Sequence, residues 1–223
     1  MIDYLKVQKT SRIVTEGDNN PELRSVWLVA HGYGQLTPFF INKFGKLFSK
    51  ENLFIVPEGL HRYYLNGFSG KIGASWMTSE EREKDIEDYC SYLDAVYEKY
   101  IMPLDKKVIV NALGFSQGGA TICRWAAHTK FKIDNLIVWG SVIPPDMTQM
   151  AIGRESELQK LRTLNWYYVA GDKDELLSDK RRVEQLEILE KNGIKPNSIH
   201  YQGGHDILEE TLLLLNKNVL KKQ

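Results

Sequence analysis

Short apolar segments alternate with helical patterns from residue 25 to the end of the chain. These segments lack the in–out alternation of a half-exposed strand, which indicates strands covered on both faces of a sheet. Strands that alternate with helices favour a mostly parallel, doubly wound α/β sheet with helices on both faces. The predicted strands are 25–30, 52–56, a segment that begins at 108, 134–139, 164–170 and 197–201.

The remaining chain is predicted as helices, turns and one long loop within a single domain of residues 1–223. Residues 1–20 are predicted to contain an N-terminal hairpin. Residues 57–77 follow neither a helical nor a strand period, and a loop of that length is often functional. Thr78 and Glu81 have the spacing of a capping box at the start of a long helix. The predicted helices are 38–49, 79–101, 120–127, 177–192 and a last helix that runs to about residue 220.

The residues Gly114-Phe-Ser-Gln-Gly118 place a G-x-S-x-G motif between an apolar strand and an Ala-rich helix. In that context the motif forms a sharp turn that exposes the serine hydroxyl at the end of the sheet. Gly114 and Gly118 remove side chains that would collide in such a turn. The positive end of the helix dipole beside Ser116 stabilises developing negative charge. We therefore predict Ser116 to be a nucleophile, whereas the motif alone would often be a flexible loop.

A serine hydroxyl needs a base to take its proton, and the base needs a carboxylate to orient it. His205 follows the last predicted strand after two glycines and is the predicted base. Asp172 and Asp174 both follow the preceding strand, and their positions alone do not distinguish them. Either aspartate also suits a turn or a helix cap. The chain order of serine, aspartate and histidine is that of α/β-hydrolases.

Two backbone N–H groups are predicted to stabilise a tetrahedral oxyanion. One belongs to Gln117, the residue after the predicted nucleophile. The other belongs to Tyr33, which lies in the turn His31-Gly-Tyr-Gly34 after the first buried strand. The flanking glycines allow the backbone to approach a substrate closely. This pair would form the oxyanion hole of an acyl-transfer site.

Composition excludes several other classes of function. Basic and acidic residues number 29 each, so no surplus of positive charge indicates a nucleic-acid partner or an anionic membrane surface. Cys90 and Cys123 have no C-x-x-C spacing, and neither a metal nor an organic cofactor is expected. The N-terminus lacks a signal-peptide pattern, and no apolar run is long enough for membrane insertion. A cytoplasmic protein is therefore expected, with the aromatic residues of 57–77 offering a surface for a homodimer.

The sequence resembles the phospholipase/carboxylesterase family, which includes the acyl-protein thioesterases. This resemblance implies an α/β-hydrolase fold, a Ser-His-Asp triad and a tryptophan-bearing substrate loop at Trp76. It also implies that Asp174, rather than Asp172, is the triad acid. The stretches that carry it are Gly114–Gly119, His31–Gly34, Ser75–Trp76, Ser141–Pro144 and Gly171–Asp174 with Gly204–His205.

These observations predict a serine carboxylesterase that cleaves short- to medium-chain esters through an acyl-enzyme. An acyl thioesterase or a lysophospholipase on the same triad is the alternative enzyme, and a peptidase is disfavoured because no gating domain is evident. A non-catalytic binding protein on the same fold is a further alternative. Phe68, Trp76 and Ile143 are predicted to line an apolar acyl pocket, although ordinary core packing would explain each of them as well.

Overall fold

The computed structural model describes residues 1–146 and 155–220. A seven-stranded sheet forms its centre, in the order β1-β3-β2-β6-β7-β8-β9, and β4 and β5 form a separate hairpin. Within the seven-stranded sheet only β1 runs antiparallel to its neighbour, so the predicted mostly parallel α/β sheet is confirmed. The strands are β1 (Ile13–Glu16), β2 (Ser25–Ala30), β3 (Asn52–Pro57), β4 (His61–Tyr64), β5 (Ile72–Ser75), β6 (Ile109–Phe115), β7 (Asn135–Trp139), β8 (Asn165–Gly171) and β9 (Asn197–Tyr201).

The central strands are apolar on both faces, as their unbroken hydrophobic runs predict. In β2 the side chains of Val26 and Leu28 join one core cluster, while Trp27 and Val29 join the cluster on the opposite face. All four side chains are fully buried. Helices must therefore cover both faces of the sheet.

The first cluster packs under α2 and α3, and the second packs under α6 and a 3₁₀ helix. Within the described residues, no helix combines the length and the apolar character that crossing a bilayer requires. The helices are α1 (Thr37–Phe40), the 3₁₀ helix (Ile41–Leu47), α2 (Arg82–Tyr100), α3 (Gln117–His128), α4 (Glu155–Thr163), α5 (Asp179–Lys191) and α6 (Glu209–Leu220).

The predicted N-terminal hairpin does not form. Residues 1–12 contain no strand, and β1 pairs antiparallel with β3 instead of with an earlier segment. The physical reason is that an alternating segment can pair with any free strand edge, and β3 offers one. The first strand therefore extends the main sheet.

Three local predictions also require correction. Residues 57–77 are not a structureless loop, because β4 and β5 pair across a turn in which Gly67 and Gly70 have positive φ. The predicted helix 38–49 divides into α1 and the 3₁₀ helix, which contains the poor helix former Gly45. The capping box is absent, since Glu81 has a left-handed backbone and Thr78 Oγ1 donates to the carbonyl of residue 80.

Candidate active site

The turn that carries Ser116 joins the end of β6 to the start of α3. Ser116 has φ 55° and ψ −122°, a conformation that is strained for a residue with a Cβ. A Cβ on Gly114 would lie 2.1 Å from the carbonyl oxygen of Gly118, so the turn tolerates no side chain there. The Ser116 N–H donates to the Trp139 carbonyl at 2.9 Å, which ties the turn to the end of β7. The sequence motif thus forms the strand–turn–helix expected of a nucleophile.

His205 contacts a buried carboxylate. Its Nδ1 lies 2.8 Å from Asp174 Oδ2, and the Asp174 side chain is inaccessible to solvent. The second carboxylate oxygen, Oδ1, accepts the N–H of Leu176 at 3.0 Å. We assign the proton of the neutral ring to Nδ1, because a carboxylate offers only acceptors. That tautomer leaves the lone pair of Nε2 available to a substrate or a nucleophile.

Asp172 has a different role from Asp174. Its Oδ1 accepts the N–H of Gly203 at 2.8 Å, and its own N–H donates to the Tyr201 carbonyl at 2.9 Å. Asp172 therefore holds the turn that leads from β9 to His205, and it does not contact the imidazole. The position in the sequence left both aspartates open, and the structure places Asp174 against the ring.

The serine turn follows β6 and the His205–Asp174 pair follows β8 and β9, so all three residues lie at the carboxyl ends of parallel strands in one sheet. The ring of Phe115, the residue before Ser116, lies 4.8 Å from the ring of His205. A Cβ on Gly140, directly after β7, would lie 3.3 Å from His205 Nδ1 and 3.4 Å from Asp174 Oδ2. Ligand sites of open α/β sheets form at this edge.

The two predicted oxyanion donors flank the serine. A Cβ on Gly32 would lie 3.1 Å from Ser116 Cβ, so the loop that carries Tyr33 is packed against the nucleophile. Gly34 N–H donates to the Ala74 carbonyl at 2.8 Å and fixes the far end of this loop. Among the described residues, no hydrogen bond uses the N–H of Tyr33 or Gln117. Both donors are therefore available to an oxyanion.

The side chain of Gln117 has a function that sequence reasoning missed. Its Oε1 accepts the N–H of Trp76 at 3.1 Å, and its Nε2 donates to the Met77 carbonyl at 2.9 Å. The same carboxamide contacts Ser75 Oγ. It thereby links the first residue of α3 to the end of the β4–β5 hairpin. The sequence shows a glutamine between Ser116 and two glycines, but it does not show that the glutamine side chain binds residues 75–77.

The His31 side chain packs against the turn of residues 31–34, which carries the predicted donor Tyr33 and which we call the oxyanion loop. The ring is fully buried, its Nε2 accepts the N–H of Gly59 at 2.9 Å, and its Nδ1 lies 2.7 Å from the Gly32 carbonyl oxygen. The indole N–H of Trp76 donates to the His31 carbonyl at 2.9 Å. Burial lowers the pKa of His31, although the Gly32 carbonyl and the Glu58 carboxylate oppose that shift. This histidine is therefore neutral and structural.

Glu58 is a buried carboxylate that joins three parts of the chain. It accepts hydrogen bonds from Arg12 and Arg62, each with a shortest distance of 2.7 Å, and from the N–H of Thr37 at the start of α1. Burial alone would raise the pKa of Glu58, but the bonds from Arg12, Thr37 and Arg62 outweigh it and hold the pKa below its usual value. Arg12 and Thr37 are too distant from Glu58 in sequence to be predicted from spacing.

An apolar cavity of about 600 Å³ opens beside the oxyanion loop. Phe40 connects it to the site, because this ring packs 6.2 Å from Phe115, which in turn contacts His205. The cavity is lined by the end of the oxyanion loop, by α1 and the 3₁₀ helix, and by the hairpin: Gly34, Gln35, Leu36, Phe39, Phe40, Lys43, Leu65, Lys71 and Ile72.

None of the three predicted pocket residues lines this cavity. Phe68 is 98% exposed, because it lies in the turn of the hairpin, beyond the paired strands. Trp76 is fully buried and is oriented by its bond to the His31 carbonyl. Ile143 is 1% exposed within the core, and its N–H donates to Gln185 Oε1 at 2.7 Å. Core packing therefore explains the burial of Trp76 and Ile143, and the three predicted pocket residues do not coincide with this cavity.

Comparison with solved structures identifies the fold, although no family model and no curated protein sequence matches the chain. Acyl-protein thioesterase 2 of Zea mays is 16% identical, with a TM-score of 0.73 over 95% of this chain and all of that chain. Esterase PE8 is 17% identical, with a TM-score of 0.67 over 96% and 98% of the two chains. SOBER1 of Arabidopsis thaliana is 17% identical, with a TM-score of 0.67 over 89% and 98%. The chain thus has the α/β-hydrolase fold of these esterases and thioesterases.

Proposed function

We propose that this protein is a serine hydrolase that cleaves carboxylic esters of short to medium acyl chains. Ser116 Oγ attacks the acyl carbonyl while His205 Nε2 takes its proton. Asp174 holds the ring and stabilises the imidazolium that forms. The N–H groups of Tyr33 and Gln117 donate to the oxyanion. The alcohol departs with the proton from His205, and water hydrolyses the acyl-enzyme by the same steps.

The contact between His205 and Asp174 is the observation that carries this proposal. A solvent-inaccessible carboxylate bound to an imidazole is costly unless the pair is fully hydrogen-bonded, and both oxygens of Asp174 are bonded here. The pair lies at the same sheet edge as the strained Ser116. Residues with a strained backbone, such as Ser116, cluster at functional sites.

The apolar cavity is the proposed place for the acyl chain. It begins at the oxyanion loop, so a carbonyl held by Tyr33 N–H would direct its acyl chain between Leu36, Phe40 and Leu65. Apolar surface buried there would stabilise the bound ester by about 25 cal/mol per Å². The open side of the cavity, where Phe39 is 71% exposed, favours short and medium chains over fully enclosed long ones.

A fluorophosphonate probe tests the proposal, because it reacts rapidly only with an activated serine. The expected adduct maps to Ser116 by mass spectrometry, is absent in Ser116→Ala, and is strongly slowed in His205→Ala. Turnover of a 4-nitrophenyl ester should follow the same pattern. Absence of an adduct on folded wild-type protein would reject the hydrolase in favour of a binding protein on this fold.

An acyl thioesterase is the second candidate, and the similarity to the maize acyl-protein thioesterase favours it. The same triad would attack a thioester carbonyl, since both reactions proceed through an oxyanion. An oxygen ester, a thioester and an amide that share one acyl group separate the candidates. We expect the ester and the thioester to be cleaved and the amide to resist.

A further inference from the structure

The cavity is bounded by two segments that carry charge of one sign. We call residues 31–50 and 59–79 the cavity walls. They contain no aspartate or glutamate, whereas the whole chain has 29 acidic and 29 basic residues. The cations of the cavity walls are Lys43, Lys46, Lys50, Arg62 and Lys71.

Four of these five cations are paired with carboxylates that lie outside residues 31–50 and 59–79. The pairs are Lys43 with Asp206, Lys46 with Glu209, Lys50 with Glu22 and Arg62 with Glu58. Lys71 is the exception. Within residues 1–146 and 155–220 its ammonium group forms no ion pair and no hydrogen bond. It is also one of the two cations that line the cavity, and the other, Lys43, is already paired.

The backbone fixes Lys71 close to the reacting end of the cavity. Its carbonyl accepts the N–H of Leu65 at 2.8 Å, which closes the hairpin next to β5. Two residues further on, Gly73 packs so closely on Gly34 that a Cβ there would lie 2.7 Å from Gly34 Cα. Two strand residues span about 7 Å. The ammonium group therefore lies within reach of a chain of several methylenes that starts at the oxyanion loop.

We propose that the cavity selects acyl chains that end in a carboxylate, and that Lys71 is the residue that selects them. This inference rests on the ester hydrolysis proposed above and names its substrate class, the half-esters of dicarboxylic acids. The methylenes lie against Leu36, Phe40 and Leu65, while the terminal carboxylate reaches the open side of the cavity and pairs with Lys71. The carboxylate stays in contact with water there, so it avoids the large desolvation cost of a buried charge.

Matched substrates test the charge alone. The mono-4-nitrophenyl esters of adipate and suberate are compared with 4-nitrophenyl hexanoate and octanoate, which have the same lengths without the terminal anion. Shorter half-esters are avoided because they hydrolyse themselves through cyclic anhydrides. The ratio of kcat/KM for the anionic ester over the neutral ester is measured in wild type, Lys71→Met, Lys71→Glu and Lys50→Glu. Lys50→Glu is the control for Lys71→Glu. It changes the net charge by the same amount and lies in the same cavity walls, but Lys50 does not line the cavity itself.

The wild-type ratio is expected to fall about threefold in Lys71→Met and about tenfold in Lys71→Glu, the size of an exposed ion pair and of its reversal. The fall in this ratio should arise from a higher KM for the anionic esters. It should be smaller in 1 M salt, where the Debye length is about 3 Å. Turnover of the neutral esters should stay within about twofold in every variant.

An unchanged ratio in Lys71→Glu, or an equal fall in Lys50→Glu, would overturn the selection by Lys71. If the proposed hydrolase activity were absent, neither the neutral nor the anionic esters would be cleaved in a Ser116-dependent way, which is a different result. The two proposals therefore fail separately.

Discussion

The candidate site joins two regions that are built differently. Ser116, Gly140, Asp174 and His205, which we call the catalytic edge, lie after the ends of β6 to β9. Backbone hydrogen bonds from Ser116 and Gly140 and the side-chain bond between Asp174 and His205 hold them in place. The hairpin mouth, residues 61–75, is a separate two-stranded unit with an exposed tip. The two regions meet through the carboxamide of Gln117 and the bond from Gly34 to Ala74.

In the proposed hydrolase, this difference would separate the residues that carry out the reaction from those that select the substrate. A change at the catalytic edge displaces atoms that are held from several sides, so it should alter rate or stability strongly. A change at the exposed tip of the hairpin mouth, where a Cβ on Gly67 or Gly70 would meet no atom within 4 Å, should have little effect on the folded structure.

The largest expected effect distinguishes the two aspartates that the sequence left open. Asp174→Asn removes the carboxylate that orients His205, and we expect kcat to fall about 10⁴-fold. Asp172→Asn keeps an acceptor for the Gly203 N–H, and we expect a fall of less than about tenfold. Initial rates on 4-nitrophenyl hexanoate measure both, with circular dichroism as the control for folding. Equal losses in the two folded variants would contradict the assignment of the acid.

The second contrast concerns two glycines. In Gly114→Ala the new Cβ would lie 2.1 Å from the Gly118 carbonyl oxygen, and we expect a loss of about 4 kcal/mol in the free energy of unfolding. Gly67 has φ 64° with no atom within 4 Å of a new Cβ, so Gly67→Ala should cost only about 1 kcal/mol from the backbone. Urea unfolding measures the difference. Similar losses in the free energy of unfolding for the two variants would show that the catalytic edge accommodates an added side chain as readily as the hairpin mouth.

The sequence predicted the catalytic edge well because its signals are local. A continuous apolar run identifies each buried strand, and the residues that follow those strands must meet at one edge of a parallel sheet. Gly114 is required by a contact inside the five-residue turn, so the motif itself contains that information. Gly118 is required by its close approach to the carbonyl oxygen of Ala30 at the end of β2. The positions of Ser116, Asp174 and His205 follow from that logic, whereas the choice of Asp174 over Asp172 came only from the family resemblance.

The cavity was predicted poorly because its determinants are distant in the chain. Glu58 binds Arg12 and Thr37, and no spacing rule connects three such segments. The aromatic residue Phe68 was assigned to the pocket by its type, but its place in the hairpin turn leaves it in solvent. Strand β4 was missed because its alternation covers only four residues, and β1 was misassigned because an edge strand does not encode its partner.

The third contrast tests the junction between the two regions through pH. Burial lowers the pKa of His31 in the folded protein, whereas a histidine in the unfolded chain has a pKa of about 6.5. As the pH falls, His31 is therefore protonated in the unfolded chain at a higher pH than in the folded protein. The contribution of neutral His31 to the free energy of unfolding is therefore complete above pH 6.5 and is lost as the pH falls below it. For one group, the free energy of unfolding changes by at most about 1.4 kcal/mol per pH unit. We expect His31→Gln to be less stable at pH 8 and to have a shallower decline between pH 6.5 and 5.

Urea unfolding across that range measures the slope, and His200→Gln is the control because this histidine is exposed on β9. The slope of the control should match that of wild type. A wild-type slope retained in His31→Gln would mean that other groups cause the acid sensitivity, and the buried ring would then not be the element that braces the oxyanion loop.

The smallest expected effect is at Phe68, in the turn of the hairpin. Because this side chain is 98% exposed, Phe68→Ser should change the free energy of unfolding by less than about 0.5 kcal/mol. It should leave kcat/KM for 4-nitrophenyl hexanoate within about twofold, since the residue lines no part of the cavity. Phe40→Ala is the matched contrast, because that ring is 2% exposed and separates the cavity from Phe115, and its loss should cost about 3–5 kcal/mol. If Phe68→Ser raised KM severalfold with stability unchanged, the hairpin tip would fold over the bound ester, and the division between a fixed catalytic edge and an open mouth would hold only for the unliganded protein.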